Sequence, residues 1–521
     1  MILKIMYFLD EGLGFGGAAH TLLRQAVLMK NAGHEVVLSI SDYKNETIAE
    51  EYFRLCAKKN IEIVRMPFVV SSQPEDIDII SVIKNYRIVR DIVKRYSPDL
   101  LHSIQINPIV ELTGRELKIP HIMNIYQIQR EFFSVPYTDI FPRYHICDSR
   151  YYADIWKELI HTDSICIRTA AEEPMGNRMQ RSRDGNGRVR YCCVGGVCVR
   201  KNQLEVIKAF ELALAKGVDG ELFLYGYDMG PYAKACRHYL EQKNLGELIH
   251  MVGFCTNMED EYEKADVLLC GSTCESYPNV ISEAMAHGLV IISTPVAGVP
   301  EVIEDGYNGY LCDGYSDSAI ARKILQFERE RKAGRTTQIL SNASDTYRKL
   351  HSSKSVRLEL ERYYGHVLED FHEPPPIRIE GICERFSDMI TLYNGKKDTI
   401  LHPELVRLKL WYVYHIKEVL EKLATTGKRQ AYIWGAGRLA NTIKVMIETF
   451  FPFLQLKGFI DSYKQGELLN LPICHPDAVL RKENMVLFVG LTNGQEEILR
   501  ILEEQHKIYN QDYFVLTPRT W

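Results

Sequence analysis

Two glutamates stand eight positions apart, at 275 and 283, in the segment GSTCESYPNVISEAMAHGLVIISTPVAG, residues 271–298. Glu275 lies in a loop-like stretch, and Glu283 lies in a short helical stretch with Asn279 as its expected N-cap and Gly288 as its C′ residue. The start of such a helix offers backbone N–H groups to an anion, whereas the carboxylates suit neutral hydroxyl groups. A nucleotide-sugar supplies both. An ordinary helix and loop with unrelated glutamates is the alternative.

The elements around these residues alternate between short apolar runs and longer helical patterns, which predicts parallel sheets with helices on both faces. Strands are predicted at 2–9, 35–40, 61–67, 100–104, 121–125, 144–147, 189–194, 221–225, 249–253, 267–270 and 289–293, and helices at 18–31, 83–96, 203–216 and 232–243. The expected fold class is α/β, with two doubly wound Rossmann-like domains that face a cleft and a third Rossmann-like domain.

The predicted domains are 1–172, 173–370 and 429–521, the last preceded by a linker and helical segment at 371–428. The polar stretch 172–188 separates the first two domains, and the sequence FHEPPP opens the linker. A chain of 521 residues with 46% hydrophobic residues has enough apolar material for several cores.

Composition excludes some classes of function. A net charge of −5 argues against a nucleic-acid partner. The 13 cysteines are odd in number and lack zinc-ligand spacing, which favours a reducing cytosol and no metal. The N-terminus does not read as a signal peptide, and no apolar run is long enough to span a membrane. Membrane contact would be peripheral, through the basic helix 83–96, for which a solvated face is the alternative.

The segment 271–298 closely resembles the donor-site signature of the retaining glycosyltransferases of family 4, which have the GT-B fold. The resemblance covers roughly residues 1–365. It implies that Glu275 contacts the transferred sugar and that Glu283 holds the donor ribose. The neighbouring donor-site residues that it implies are Ser276, Tyr277, Asn279 and Val280.

Other segments resemble the same family. In VGGVCVRKNQLEVIKAF, Lys201 matches a lysine that neutralises the leaving diphosphate in the family. The position of the family's arginine holds Gly196 here, and Arg200, beside Lys201, is the candidate to replace it. Family members generally use no metal or other cofactor, so the nucleotide-sugar is a substrate whose charge is met by side chains and helix ends. The glycine-rich loop with Gly16 and Gly17 is expected at the donor phosphates, and Gly253 with Phe254 at the nucleobase.

The first domain departs from the family at one position. Relatives often carry a histidine that faces the donor sugar, and the corresponding residue here is Tyr126. Tyr126 is therefore the expected sugar- or acceptor-side residue, with His102 or His121 as substitutes. For His102, a strand-end position satisfied by the backbone is the alternative.

The third domain contains GAGRLA at 435–440 after an apolar run, with Ala440 in place of the third glycine of the dinucleotide fingerprint. Asp461 follows Gly437 by 24 residues, near the spacing of an acidic ribose ligand. The segment resembles Rossmann-like modules found beside sugar-modifying enzymes. Gly435, Gly437 and Asp461 thus predict a second nucleotide site, with a structural or partner-binding role as the alternative.

Together these features predict a glycosyltransferase that moves a hexosyl unit from a UDP- or GDP-sugar to a glycan or lipid-linked acceptor, with retention of configuration, in surface polysaccharide synthesis. It is expected in the cytoplasm or at the inner face of the membrane. A GT-B-shaped epimerase or phosphorylase is one alternative. A catalytically silent nucleotide-sugar sensor or scaffold is another, and turnover of the donor would distinguish it.

Overall fold

The structure is a computed structural model. It describes residues 2–9, 17–41, 53–66, 79–104, 108–126, 143–160, 163–172, 174, 188–372, 419, 422–423, 425–437, 440, 443–444, 447–448, 453–491 and 494–516. The start of the glycine-rich loop with Gly16, most of the predicted linker between the first two domains, and nearly all of the segment before the third domain lie outside the described residues.

The first domain is built on a parallel sheet in which the order is β3-β2-β1-β4-β5-β6-β7. Its strands are β1 Lys4–Leu9, β2 Glu35–Ser41, β3 Glu62–Met66, β4 Leu100–Ile104, β5 His121–Ile125, β6 Tyr144–Cys147 and β7 Ile165–Cys166. Its helices include α1 Gly17–Asn31, α2 Ile79–Tyr96, α3 Pro108–Leu117 and α4 Arg150–Ile160. The central strands are buried on both faces, as the continuous apolar runs predicted.

The second domain has a parallel sheet in the order β10-β9-β8-β11-β12-β13. Its strands are β8 Val189–Val194, β9 Gly220–Tyr225, β10 Ile249–Gly253, β11 Val267–Cys270, β12 Val290–Ser293 and β13 Tyr310–Leu311. Its helices are α5 Gln203–Ala215, α6 Pro231–Lys243, α7 Met258–Lys264, α8 Asn279–Ala286, α9 Asp317–Lys332 and α10 Thr336–Leu350. In both sheets the order reverses beside the first strand, which is the point where doubly wound folds bind ligands.

A last helix, α11 Ser353–Asp370, returns to the first domain. Its buried residues Val356, Leu360 and Val367 join the core that contains β1 and α1. The Tyr364 hydroxyl lies 2.9 Å from the Tyr7 hydroxyl. The predicted boundary at residue 370 therefore follows chain order but not packing, because α11 is part of the first domain in space.

The third domain is a smaller sheet in the order β16-β17-β15-β14-β18-β19, in which β16 and β17 pair antiparallel and the other described strand pairs are parallel. Its elements are β14 Gln430–Trp434, β15 Gln455–Ile460, β16 Gly466–Leu468, β17 Leu471–Cys474, α12 Pro476–Leu480, β18 Met485–Val489, α13 Gln495–Glu504 and β19 Tyr513–Val515. The predicted fold class, with two Rossmann-like domains and a third one after them, is confirmed.

Candidate functional site in the interdomain cleft

The strand ends of the first two domains border a cleft of about 1040 Å³. The first domain contributes the start of α1 and the residues that follow β5 and β6, and the second contributes the loops that follow β8, β10 and β11. The predicted site residues on its wall are Gly17, Tyr126, Arg200, Lys201, Phe254, Glu275, Ser276, Tyr277, Asn279, Val280 and Glu283. Most of the predicted site is thus brought together in one place.

Glu275 lies in the loop between β11 and α8 and is almost fully buried. Its Oε1 lies 2.6 Å from the Lys201 Nζ and its Oε2 lies 2.8 Å from an Arg200 Nη. The Ser272 hydroxyl donates a third hydrogen bond at 3.2 Å. Burial acts to raise the pKa of Glu275, but the two cations outweigh it and hold the pKa below its usual value. Glu275 is therefore ionised, with two positive charges beside it.

Lys201 and Arg200 are held by a short 3-10 turn, Val199–Lys201, that joins β8 to α5. Asn202 ends the turn with a left-handed φ of 61°. Gly195 has a φ of +138°, and a Cβ there would meet the Lys201 Cε at 3.1 Å. A side chain at 195 would therefore crowd the lysine, so the glycine leaves Lys201 room to reach Glu275.

Glu283 lies on α8, where a residue of the first domain reaches it. The Arg24 Nη2 on α1 donates to the Glu283 Oε1 at 2.6 Å, and the Tyr262 hydroxyl donates to the Oε2 at 2.9 Å. Burial would raise the pKa of Glu283, yet Arg24 and Tyr262 lower it overall. Neither Arg24 nor Tyr262 was predicted as a partner of Glu283. The available signal was that Arg24 is the only arginine or lysine of α1 before Lys30, among buried neighbours.

The start of α8 differs from the prediction. Asn279 is the first helical residue and Pro278 occupies the N-cap position. The Asn279 amide donates to the Gly17 carbonyl at 3.1 Å and to the Thr21 hydroxyl at 3.3 Å. Its side chain is thus used to join the two domains and not to cap its own helix. Gly288 has the positive φ, 65°, that was predicted for the end of the helix.

The far end of the cleft carries two aromatic rings. Phe254 stacks on Tyr227 with ring centroids 4.6 Å apart and planes 20° from parallel. Phe254 is 39% exposed and Tyr227 is 48% exposed, so part of their apolar ring surface faces the cleft, where a flat ligand could stack. Gly253, with a φ of +87°, directly precedes Phe254 at the end of β10. Tyr227 was not predicted.

The three first-domain candidates separate clearly. Tyr126 lines the cleft, and its carbonyl accepts the Trp156 indole N–H at 2.6 Å. His102 is fully buried between the Tyr364 hydroxyl, at 2.7 Å, and the Asn124 Oδ1, at 3.0 Å, and burial lowers its pKa to about 3. His121 lies between Ser103 and Glu111, away from the cleft. Both histidines serve the core, and among these candidates only Tyr126 reaches the site.

One cleft carboxyl was missed altogether. Asp148 directly follows β6 and accepts a hydrogen bond from the Ser276 hydroxyl, next to Glu275. Burial raises the pKa of Asp148 to about 7, against a smaller opposite effect of Ser276 and Arg168. No short motif marks this residue, because its partner lies 128 positions away in the chain.

In the third domain, Gly435 and Asp461 follow neighbouring strands. A Cβ on Gly435, whose φ is +127°, would meet Leu491 at 2.7 Å, so packing beside β18 already demands the glycine. The Asp461 Oδ1 accepts the backbone N–H groups of Tyr463 and Lys464 at 2.9 and 3.0 Å. Asp461 therefore closes a turn, and the second nucleotide site with Gly437 stays a prediction.

Among the described residues, no cluster of three or more His, Cys, Asp or Glu side chains is arranged to hold a metal ion, and no helix is long and apolar enough to cross a membrane. In the basic helix, Arg90 pairs with Asp91 at 2.9 Å and with Glu116 at 3.4 Å.

Part of the sequence is similar to one protein family and to several known proteins. Residues 178–344 match the family described as glycosyl transferases group 1. The N-acetyl-alpha-D-glucosaminyl L-malate synthase of Bacillus anthracis is 29% identical over 170 residues, 33% of this chain and 43% of that protein. The putative colanic acid biosynthesis glycosyltransferase WcaL of Salmonella typhimurium is 32% identical over 131 residues, 24% of this chain and 32% of that protein. The chain spans less than half of the length of each of these relatives.

Solved structures match over the first two domains. A glycosyltransferase from Rickettsia africae has a TM-score of 0.59 at 15% identity and covers 71% of this chain and 100% of its own. Anabaena HepE in complex with UDP has a TM-score of 0.56 at 15% identity and covers 70% of this chain and 100% of its own. At this identity the likeness shows the fold. Residues 178–344 thus resemble the group 1 glycosyltransferases in sequence, and the first two domains of the chain have the GT-B fold.

Proposed function

We propose that this protein is a retaining hexosyltransferase that uses a UDP- or GDP-sugar and a glycan or lipid-linked acceptor. The observation that carries the proposal is the Glu275 cluster, in which a buried carboxylate and two cations meet at the cleft. Glu283 lines the same cleft from α8, the helix that follows the Glu275 loop. HepE has been solved with UDP and with UDP-glucose, and the pneumococcal transferase GtfA with UDP and GlcNAc. The ligands bound in these structures favour UDP-sugars as the first donors to test.

In this mechanism the residues have separate roles. Lys201 and Arg200 leave Glu275 to neutralise the diphosphate as the C1–O bond to phosphate breaks, and Glu275 then accepts hydrogen bonds from the transferred sugar. Glu283 holds the ribose. The acceptor oxygen forms its bond to C1 on the same face, and its proton passes to the departing phosphate oxygen. Closure of the domains excludes water, which suppresses hydrolysis of the donor.

The relatives named for colanic acid biosynthesis support a role in surface polysaccharide synthesis, at the cytoplasmic side of the membrane. The test is nucleotide release from a panel of UDP- and GDP-hexoses, with and without simple glycosides as acceptors. Nuclear magnetic resonance of the product then gives the anomeric configuration. Release from one donor with a retained anomer is the expected result, and an inverted anomer would contradict the mechanism.

A catalytically silent nucleotide-sugar sensor is the second candidate. It is favoured by the occupation of Glu275 and Glu283 by cations of the protein and by Tyr126 in place of the usual histidine. Thermal shift distinguishes the two, because a ligand at about 100 times its dissociation constant stabilises a protein by about 2.7 kcal/mol. A shift with donor but no release in the presence of any acceptor would favour the sensor.

A further inference from the structure

The turn after β6 brings Asp148 against the second domain. Its carboxyl accepts the Ser276 hydroxyl, and Ser276 directly follows Glu275 in the chain. Asp148 lines the same cleft as Glu275, Lys201 and Tyr126, although only 6% of its surface is exposed. The carboxyl therefore stands on the first-domain wall of the cleft, beside the place assigned to the transferred sugar.

The electrostatics of this position are unfavourable. Among the described residues no ion pair involves Asp148, since the nearby Arg168 donates to the Asp148 backbone carbonyl at 2.5 Å and forms its ion pair with Glu301. A buried carboxyl without an ion pair of its own costs free energy, either as a desolvated charge or as a shifted protonation equilibrium, and the charge of Arg168 offsets only part of that cost. The hydrogen bond to Ser276 needs only a neutral acceptor, so it does not explain why a carboxyl stands here.

Other hydrogen bonds also hold the first two domains together at this junction. Glu301 accepts the backbone N–H groups of Arg150 and Tyr151 at 2.9 and 2.7 Å, which fixes the start of α4 to the second domain. The Ser149 hydroxyl lies 3.1 Å from the Ser276 hydroxyl. The junction thus has hydrogen bonds of its own besides the one to Asp148, which does not have to be a carboxylate to hold the two domains together.

We propose that Asp148 is a sugar-binding residue of the transfer site, which accepts a hydrogen bond from a sugar hydroxyl on the side of the cleft opposite Glu275. This rests on the proposed function and adds a specificity-determining residue to it. Carboxylates suit this task because an ionised carboxylate only accepts hydrogen bonds, and a hydroxyl donates a stronger hydrogen bond to it than to a neutral acceptor. The hydroxyl belongs either to the transferred hexosyl unit or to the acceptor, and the two sources give different kinetics.

The ionised form is the one that binds, so the site has a pH dependence. The charged and titratable groups that face Asp148 are Arg168 after β7, Glu275 and Tyr277 in the loop before α8, and the thiols of Cys147 and Cys166. Because burial raises the pKa of Asp148 to about 7, turnover by the wild-type protein is expected to fall as the pH drops through 7. Glu275 keeps a lowered pKa and stays ionised over this range.

The experiment compares the wild-type protein with Asp148→Asn and Ser149→Ala. The asparagine keeps an oxygen that can accept the Ser276 hydroxyl, and Ser149→Ala removes the contact between the Ser149 and Ser276 hydroxyls without changing the carboxyl. Three readouts are needed: nucleotide release with and without glycoside acceptors, the ratio of UDP-hexose to UDP affinity, and the melting temperature at pH 5 and pH 8. We expect Asp148→Asn to lower kcat/KM about 100-fold, to lose the pH dependence, and to bind UDP as before.

If Asp148→Asn releases less nucleotide without an acceptor and binds UDP-hexose no more tightly than UDP, the hydroxyl belongs to the donor. A loss confined to transfer, with a raised KM for the glycoside, would place it on the acceptor. The melting temperature of Asp148→Asn should lie above that of the wild-type protein, and by more at pH 8 than at pH 5, because the asparagine removes a carboxyl that ionises less readily in the folded state than in the unfolded state. A residue that only joins the domains would show the reverse, namely a lower melting temperature.

The proposal is overturned if Asp148→Asn keeps wild-type turnover and hexose affinity, or if it unfolds more readily at pH 8. Ser149→Ala should resemble the wild-type protein in turnover, and an equal loss there would assign the effect to the junction and also overturn it. If the wild-type protein itself binds no donor, the proposed function fails. The melting temperatures would still show whether the Asp148 carboxyl destabilises the folded protein.

Discussion

The ion pair between Arg24 and Glu283 joins the two domains across the cleft and occupies the carboxylate assigned to the ribose. Arg24→Met removes the charge and keeps most of the side-chain length. Removing one partner of a buried pair costs about 3–5 kcal/mol, whereas exposed pairs contribute about 0–1 kcal/mol. The two side chains are 24% and 20% exposed. We therefore expect a loss of about 2 kcal/mol in the free energy of unfolding of the ligand-free protein.

The same change should tighten the binding of nucleotide. In the wild-type protein the ribose must displace Arg24 before Glu283 can accept its hydroxyl groups, and this cost is absent in Arg24→Met. Since 1.4 kcal/mol is a factor of about ten in affinity, a cost of up to about 2 kcal/mol predicts a 10- to 30-fold lower Kd for UDP or GDP. Isothermal titration calorimetry measures the Kd, and urea unfolding measures the stability.

Arg115→Met is a matched control. Arg115 forms an ion pair with Glu111 at 2.6 Å, with both side chains mostly buried, and neither residue lines the cleft. This variant should lose stability without any change in nucleotide affinity. The reasoning is refuted if Arg24→Met is less stable yet binds nucleotide with unchanged or weaker affinity, because Glu283 would then not be the ribose site or Arg24 would itself hold the ligand.

Three further changes test the structure. Glu275 has a lowered pKa, so its ion pairs stabilise the fold above its ordinary pKa of 4.5 and this stability is lost as the pH falls below it. Lys201→Met should move the loss of stability in acid to a higher pH, as measured by urea unfolding at a series of pH values. Tyr364→Phe removes the hydroxyl that contacts Tyr7 and His102, and should cost about 1–3 kcal/mol by the same assay if α11 belongs to the first domain. Gly298→Ala would place a Cβ 2.5 Å from Ser149 and 2.9 Å from the Ser276 carbonyl, so calorimetry should show a loss of about 1–3 kcal/mol, and an unchanged melting temperature would contradict the domain contact.

Much of the fold could be predicted from the sequence. The strands at 100–104, 121–125, 144–147, 189–194, 249–253 and 267–270 have the predicted bounds, because short buried runs between helical patterns leave little choice. Helix α11 shows what could not be predicted. Its apolar stripe indicates that one face is buried but not which sheet covers it, so the return to the first domain was missed.

Some residues of the candidate site could likewise be predicted from the sequence, and others could not. Glu275, Lys201 and Phe254 were found because local motifs carry them. Arg24 and Asp148 were missed, since their partners lie 259 and 128 positions away and only the packing of two domains brings them together. The histidines were weighed on sequence position alone, and the hydrogen bonds of His102 in the core explain why that position was misleading.

The central claim is that Glu275, with its two cations, carries the transfer of the sugar. Glu275→Gln tests it most directly, because the amide keeps the shape of the side chain and removes the negative charge. The account predicts that nucleotide release from the preferred donor falls by about 100-fold or more, while the affinity for UDP or GDP is kept. Release at a rate close to that of the wild-type protein would contradict it.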